Sequence, residues 1–209
     1  NSGHVRIYQY NNNSWSQLGA DIDGEDSGDE SGYSVSLSSD GSRVAIGANN
    51  NDGNGSNSGH VRIYQYNNNS WSQLGADIDG EAAGDLSGYS VSLSSDGSRV
   101  AIGEPFNDGN GSNSGHVRIY DYNGSAWVQV GADIDGEAAG DYSGWSVSLS
   151  SDGSRVAIGD RNGSNDSGHV RIYQYNNNSW SQLGADINGE AAGDESGYSV
   201  SLSSDGSRV

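Results

Sequence analysis

The sequence predicts an all-β fold, a β-propeller built of four-stranded antiparallel blades, and three observations predict it. A unit recurs four times, marked by His4, His60, His116 and His169 at spacings of 56, 56 and 53 residues. Within each unit, four short runs alternate apolar with small polar residues. Between the runs lie stretches rich in Gly, Asn, Asp and Ser. Several short strands per repeat at this period mark propellers and related arrays, although a sandwich or a solenoid also uses short strands at such spacing. We read the chain as one repeat domain over 1–209, with units of about 2–57, 58–113, 114–166 and 167–209.

The elements follow in order through the first unit. Gly3 to Tyr10 alternates and is β-branched, which predicts a strand. Asn11 to Ser14 is a polar turn. Trp15 to Ile22 predicts a second strand that Gly19 interrupts, and Asp23 to Ser31 is an acidic loop. Tyr33, Val35 and Leu37 then line one face of a third strand, with Ser34, Ser36 and Ser38 on the other. Small groups against bulky ones suit the strand nearest a propeller axis, where blades pack face to face. Asp40-Gly41 predicts a tight primed turn, because such turns need positive φ. Arg43 to Gly47 is the fourth strand, and Asn49 to Asn57 is a linker. Val209 corresponds to Val44, Val100 and Val156, each of which continues as Ala-Ile-Gly. That phase predicts a window cut from a longer array in preference to a ring closed by four blades.

Hydrophobic residues make up only 32% of the chain, a level that in an irregular sequence would mean disorder. Their fixed places in every unit argue for folding, with each unit stabilised by stacking on its neighbour. Acidic residues number 28 against nine basic ones, all Arg, for a formal charge of −19. Such a surface repels nucleic acid and anionic membranes. It attracts divalent cations or basic partners, or it serves solubility. Cys is absent, which excludes a disulfide framework and thiolate metal sites. No run approaches the ~20 apolar residues that cross a bilayer.

Ser31-Gly32-Tyr33-Ser34-Val35-Ser36-Leu37, then Val44 to Ala48, then Gly59 to Tyr64, resembles the FG-GAP repeat of integrin α-chain-type propellers. Ser-Gly-Tyr or Ser-Gly-Trp takes the place of the Phe-Gly motif, and Gly103-Glu104-Pro105 that of the Gly-Ala-Pro motif. Ser94 to Val100 is also similar to the tryptophan–aspartate propeller repeats, without their Trp-Asp pair. The FG-GAP resemblance implies an extracellular, adhesion-type propeller, usually of seven blades, with Ca²⁺ held in an Asp-rich hairpin. Here that hairpin is Ser38 to Ser42, and Asp40 is its one carboxylate. Carboxylates cluster instead at Asp21, Asp23, Glu25 and Asp29, again at Asp77, Asp79, Glu81 and Asp85, and again at Asp133, Asp135, Glu137 and Asp141. The fourth copy has Asp186, Glu190 and Asp194, with Asn188 in place of one Asp. Ca²⁺ takes six to eight oxygens, and a flexible Asp-x-Asp-Gly loop supplies several. The same acids also serve as solvated turn formers, and both readings stay open.

One His per unit on an identical strand predicts a packed residue. Arg6, Arg62, Arg118 and Arg171 share its face and are expected to pair with a loop acid. Trp15, Trp71, Trp127 and Trp180 are expected to pack between blades, or to stack sugars where exposed. Asn-x-Ser acceptors occur at Asn12, Asn54, Asn68, Asn110, Asn123, Asn162, Asn165 and Asn177, mostly in turns and linkers where a glycan is carried on the surface. The residues that break the repeat (Pro105-Phe106, Asp121, Trp145, Asp160-Arg161) read as scattered, with no acid/base pair among them. No nucleophile elbow, phosphate loop or dinucleotide fingerprint stands in context. The expectation is therefore a non-enzymatic, extracellular structural or adhesive repeat protein, a building block of a surface polymer or filament. Its partners would be other copies of itself or other cell-surface proteins or glycans. The alternative is a multivalent module whose binding depends on carbohydrate or Ca²⁺.

Overall fold

The computed structural model describes residues 2–209, with the side chains of residues 164 and 165 outside the described set. The chain begins with β1 (His4–Val5), β2 (Tyr8–Asn11), β3 (Ser14–Gln17) and β4 (Ile22–Asp23). Here β1 pairs with β4 and β2 with β3. Three five-stranded antiparallel sheets follow. The first holds β5 (Ser34–Leu37), β6 (Arg43–Ala48), β7 (His60–Asn67), β8 (Ser70–Gln73) and β9 (Ile78–Asp79). The second holds β10 (Ser90–Leu93), β11 (Arg99–Glu104), β12 (His116–Tyr122), β13 (Trp127–Gln129) and β14 (Ile134–Asp135). The third holds β15 (Ser143–Leu149), β16 (Arg155–Asp160), β17 (His169–Asn176), β18 (Ser179–Gln182) and β19 (Ile187–Asn188). One helical turn, Gly163–Asp166, lies between β16 and β17. The fold is thus all-β, a run of propeller blades. Each sheet takes its two inner strands from one sequence unit and its outer strands from the next.

The predicted second strand of each unit is two strands, and both return to the same neighbour. β8 pairs with the far end of β7, and β9 pairs with His60 and Val61 at its start. Between them the backbone turns at Gly75, which is left-handed with φ +82°, and a Cβ there would lie 2.9 Å from Cδ1 of Trp127 in the next blade. The incoming indole therefore dictates the break. The Asn-Asn hairpins behave as their residues predict. Asn12 and Asn13 both have positive φ, as do Asn68 and Asn69, and Asn177 and Asn178, which is the two-residue primed turn. Asp40-Gly41 differs from expectation. Only Gly41 is left-handed, its N–H bonds to Ser38 O, and Asp40 accepts from the Ser42 N–H at 2.9 Å. The carboxylate closes the turn from outside, so the second positive φ is not needed.

The core lies between successive sheets. The middle strands read Arg-Val-Ala-Ile-Gly without alternation because both faces are covered; Val100, Ala101 and Ile102 have no solvent exposure. One cluster joins Ala45, Val61 and Ile63 of the first sheet to Val91, Leu93, Val100 and Ile102 of the second, and another joins the second to the third. The innermost strands are tied by the serine face. Ser34 Oγ donates to Gly88 O at 2.7 Å, Ser90 Oγ to Gly144 O at 2.8 Å and Ser146 Oγ to Gly197 O at 2.8 Å. Ser36 Oγ accepts from Leu93 N and Ser92 Oγ from Leu149 N, both at 2.9 Å. The small-against-bulky pattern thus sits where the sequence places it. Val35 and Leu37, at the first sheet's outward face, are 53% and 50% exposed, against 9% and 7% for their counterparts Val91 and Leu93.

These junctions leave no room for a side chain. A Cβ on Gly103 would lie 2.1 Å from Gly144 O, so Gly103→Ala should destabilise by about 1–3 kcal/mol or more, the cost of overpacking. Ser90→Ala removes one hydrogen bond and should cost about 0.5–1.5 kcal/mol. Urea unfolding of the two variants checks the order; an equal or smaller loss for Gly103→Ala contradicts this packing.

Candidate functional site

Each blade junction buries a histidine and an arginine from the start of the third strand. His60 and Arg62, His116 and Arg118, and His169 and Arg171 are all nearly inaccessible. The arginine reaches across to the preceding blade, as Arg62 Nη2 donates to Asp23 O at 2.9 Å and Arg118 Nη2 to Asp79 O at 2.8 Å. Its other terminal nitrogen faces a loop glutamate, Glu25 at 3.4 Å, Glu81 at 3.9 Å and Glu137 at 3.3 Å. This is the expected pairing with a loop acid. In the first copy Arg6 pairs with Asp21 at 2.8 Å. Arg6 and then Gln17 hold the Asp21 carboxyl down to about 2.

The residue opposite the histidine varies, and the charge state follows it. Glu104 pairs in register with His116, and Asp160 with His169, whereas Ala48 stands opposite His60. Glu104 Oε1 accepts from Arg118 Nε at 2.5 Å, and its Oε2 lies 3.3 Å from His116 Nε2 as an ion pair off the hydrogen-bonding line. Asp160 Oδ2 accepts from Arg171 Nη2 and lies 2.9 Å from His169 Nε2. Burial depresses all three imidazoles. The carboxylate overrides burial at His116 and His169, whose pKa values end raised, while His60 ends lowered. Sequence reading took Glu104 only as part of a loop motif and Asp160 as a scattered exception. The signal available was that both occupy the Ala48 position.

The acids predicted as one cluster per unit are divided. Glu25 meets His60 and Asp77 of the next unit, with one ligand atom from each lying within 4.8 Å of the others; Glu81, His116 and Asp133 repeat this, as do Glu137, His169 and Asp186. Around the first triad lies a cavity of about 470 Å³ whose wall includes Asp26, Asp29, Asp52 and Asp79. Asp29 accepts from Asp26 N at 3.0 Å and from Asn51 Nδ2 at 3.1 Å. Asp85 accepts from Ala82 N and Asn107 Nδ2, Asp141 from Ala138 N, and Asp194 from Ala191 N. These four close turns. Asp23, Asp79 and Asp135 lie in the short strands β4, β9 and β14, and Asn188 takes their place in β19. The hairpin that the FG-GAP resemblance implies for Ca²⁺ does not fit the ion. Both oxygens of Asp40 accept bonds from Ser38 and Ser42, and the Ser42 N–H leads in holding its carboxyl at about 2. The junction triads offer two carboxylates and an imidazole beside a guanidinium, unlike the six to eight oxygens Ca²⁺ takes.

The indoles pack between blades as expected. Trp71 Nε1 donates to Leu18 O, Trp127 Nε1 to Leu74 O and Trp180 Nε1 to Val130 O, at 2.7–2.8 Å. Trp15, in the first sheet pair of the described residues, is 67% exposed. Among the glycan acceptors, Asn12, Asn68 and Asn177 sit on exposed hairpin turns, and Asn123 and Asn162 also lie in turns. Asn54 and Asn110 differ, because each Nδ2 already donates to two carbonyls, Gly80 and Glu81, and Gly136 and Glu137. Attaching a glycan there would break that pair of bonds. The Asn165 side chain lies outside the described residues.

Residues that break the repeat are less scattered than they read. Tyr33, Tyr89, Trp145 and Tyr198, one at the start of each inner segment, form a ladder with ring centroids 5.0, 4.6 and 5.8 Å apart. Phe106 stands 6.3 Å from Trp145 and 5.4 Å from Tyr142. The Arg161 guanidinium lies 4.5 Å over the Trp145 ring and donates to Glu195 at 2.8 Å. Phe106, Trp145 and Arg161 come from different loops and strands but converge at one mouth. Asp121 stays apart, paired with Arg99 at 2.6 Å.

The junction charges predict an order of titration. His60 should titrate below 6.5, and His116 and His169 above it, in side-chain NMR across pH 5–8. The folded state then loses the stabilisation that His116 and His169 give as pH rises through their raised values. It loses that from neutral His60 as pH falls below 6.5. A single common midpoint would contradict the assignment of Glu104 and Asp160 as partners.

Residues 20–64 and 76–120 match the model of the FG-GAP repeat. A search of curated proteins finds no match. Among solved structures, a candidate 6-phosphogluconolactonase from Bacteroides uniformis is similar at 14% identity and a TM-score of 0.62, over 90% of this chain and 49% of that one. A protein from Lactobacillus plantarum is similar at 14% identity and a TM-score of 0.58, over 93% and 51%. A second candidate 6-phosphogluconolactonase, from Bacteroides fragilis, is similar at 12% identity and a TM-score of 0.55, over 79% and 40%. The chain spans about half the length of these structures or less, and at such identities the likeness is one of fold. The matched stretches are FG-GAP repeats, and the sheet topology sets them in a run of propeller blades.

Proposed function

We propose that the chain is a non-enzymatic structural and adhesive propeller segment that works outside the cell. The observation that carries this reading is the junction itself, made three times with the same serine and tryptophan bonds. A surface copied this faithfully favours stacking and repeated contact over a single reaction centre. General acid–base catalysis needs a positioned proton donor or acceptor at a reacting group. The mouth where Phe106, Trp145 and Arg161 meet offers aromatic rings and an Arg–Glu pair. No helix among the described residues is long and apolar enough to cross a membrane. The half-exposed apolar faces at the first and last blades, Val35 and Leu37 at one side and Leu183 and Ile187 at the other, suit contact with further blades. Sedimentation velocity and electron microscopy test the assembly. Growth of particles with concentration is expected, and a compact monomer at every concentration would remove the polymer from this reading.

The aromatic ladder favours a second reading, a carbohydrate-binding platform. Flat rings in a row stack on sugar faces, and a guanidinium at one end supplies hydrogen bonds. Trp145→Ala should then lower binding on a glycan array at least about tenfold, in line with loss of a buried aromatic anchor. A calcium titration by calorimetry beside it separates the Ca²⁺-dependent form. Absence of any glycan signal, with no heat of calcium binding, would leave the scaffold alone.

A further inference from the structure

The first complete blade lacks a buried acid that the other two have. Ala48 stands opposite His60 where Glu104 and Asp160 stand opposite His116 and His169. The histidine and arginine themselves are placed alike. His60 and Arg62 are 1% and 4% exposed, and Arg62 keeps its bond to the Asp23 carbonyl and its approach to Glu25. Glu25 does not replace Glu104, because Glu81 and Glu137 hold that same outer place in the blades that also have the inner acid. Among the described residues, Nε2 of His60 and Nε of Arg62 are buried polar atoms without a hydrogen-bond partner, and Nε of Arg62, unlike that of Arg118, has no carboxylate beside it. Buried polar groups of native proteins are met by a partner with few exceptions.

We propose that Ala48, His60 and Arg62 form a binding site for a small carboxylate anion, bridging His60 Nε2 and Arg62 Nε as the Glu104 carboxylate bridges their counterparts. The geometry of the second blade sets the template: one oxygen 2.5 Å from the arginine Nε and the other 3.3 Å from the imidazole. The atoms match as well. The Ala48 methyl plus one acetate ion has the same heavy atoms as the Glu104 side chain. A negative charge in this setting has two precedents in the same chain, at Glu104 and Asp160. His60 also lines the acidic cavity.

Binding at this site favours the charged imidazole, because the anion pairs with it while burial holds the His60 pKa down. The groups around His60 are Arg62 on its own strand, Glu25 from the preceding unit, Asp77 at 3.8 Å, Asp79 on β9, and Asp26, Asp29 and Asp52 across the cavity. Affinity rises as pH falls through the range in which His60 takes up its proton, by up to about tenfold per unit.

The test is acetate itself, exchanged for chloride at constant ionic strength, with the full chain carrying ¹⁵N-labelled histidine. His60 ring nitrogens should shift saturably, with a dissociation constant on the order of millimolar for so small a ligand, while those of His116 and His169 stay fixed. Ala48→Glu and Ala48→Asp should abolish the response and bring His60 to the shifts of His116. Glu104→Ala should make His116 respond. If a variant fails to fold, the contrast between His60 and His116 in the unaltered chain still decides. A His60 resonance unmoved by acetate, or moving in step with the other two, would overturn the site. So would a saturable response that chloride gives equally.

Discussion

The structure depends on the approach of two backbones at the inner end of each junction. A Cβ on Gly47, Gly103 or Gly159 would lie 2.0–2.1 Å from the carbonyl oxygen of Gly88, Gly144 or Gly197 in the next blade. With nothing but hydrogen there, the sheets come close enough for Ser34, Ser90 and Ser146 to reach those same carbonyls. At the outer end the sheets must diverge, and an indole fills the gap. Trp71, Trp127 and Trp180 each tie back to a carbonyl of the preceding blade. A glycine at the narrow end and a tryptophan at the wide end define a wedge, and wedges set side by side fan about an axis. Neither residue type carries the shape alone. Glycine permits the contact, and the indole fixes the angle.

Within that wedge the buried charges are arranged to be mutually compensating. Arg118 meets Glu104, Glu81, Tyr120 and a backbone carbonyl, so most of its donors are used. A buried ion pair brings little net stability, but loss of one partner is costly because the other charge stays behind. The junction can therefore gain or lose its inner acid only with an adjustment at the histidine. That adjustment is visible in the opposite pKa directions of His60 and His116. In the loops the acids act differently. Asp40, Asp29 and Asp52 accept turn N–H groups, which makes part of the −19 charge a device for shaping loops.

Much of the fold was legible in the sequence, because period-two patterns report which face of a strand is buried. Tyr33-Ser34-Val35-Ser36-Leu37 set a hydroxyl face against a bulky one, and the hydroxyls are what reach the next blade. The Val44-Ala45-Ile46 run read as a strand, and the structure places it inside. What remained hidden depended on distance in three dimensions. Nothing local places Glu25 beside His60 and Asp77, which come from different units, or brings Phe106, Trp145 and Arg161 to one mouth. The break between β8 and β9 was half legible: Gly19 and Gly75 mark it, but its cause is a tryptophan more than 50 residues away. The Asp-Gly turn misled because a side-chain acceptor did the work expected of a second left-handed residue.

The distribution of differences among the copies follows from the same wedge. Positions that touch the next blade are held by backbone contact or by a hydrogen bond of fixed length, so the copies agree there. Freedom is left where side chains point away from the junction's narrow contact. One such position is left-handed in every copy, yet its residue changes from Glu30 to Leu86 to Tyr142 to Glu195. A left-handed non-glycine residue costs about 1–2 kcal/mol, and keeping the conformation while varying the side chain points to the backbone as the part that matters there. Tyr142 and Glu195 nonetheless reach Phe106 and Arg161, so the varied side chains gather at the mouth. A repeat whose close backbone contacts are fixed can still individualise one end. The physical division between the constrained wedge and the free mouth is what allows nearly identical blades to present a surface that is not identical.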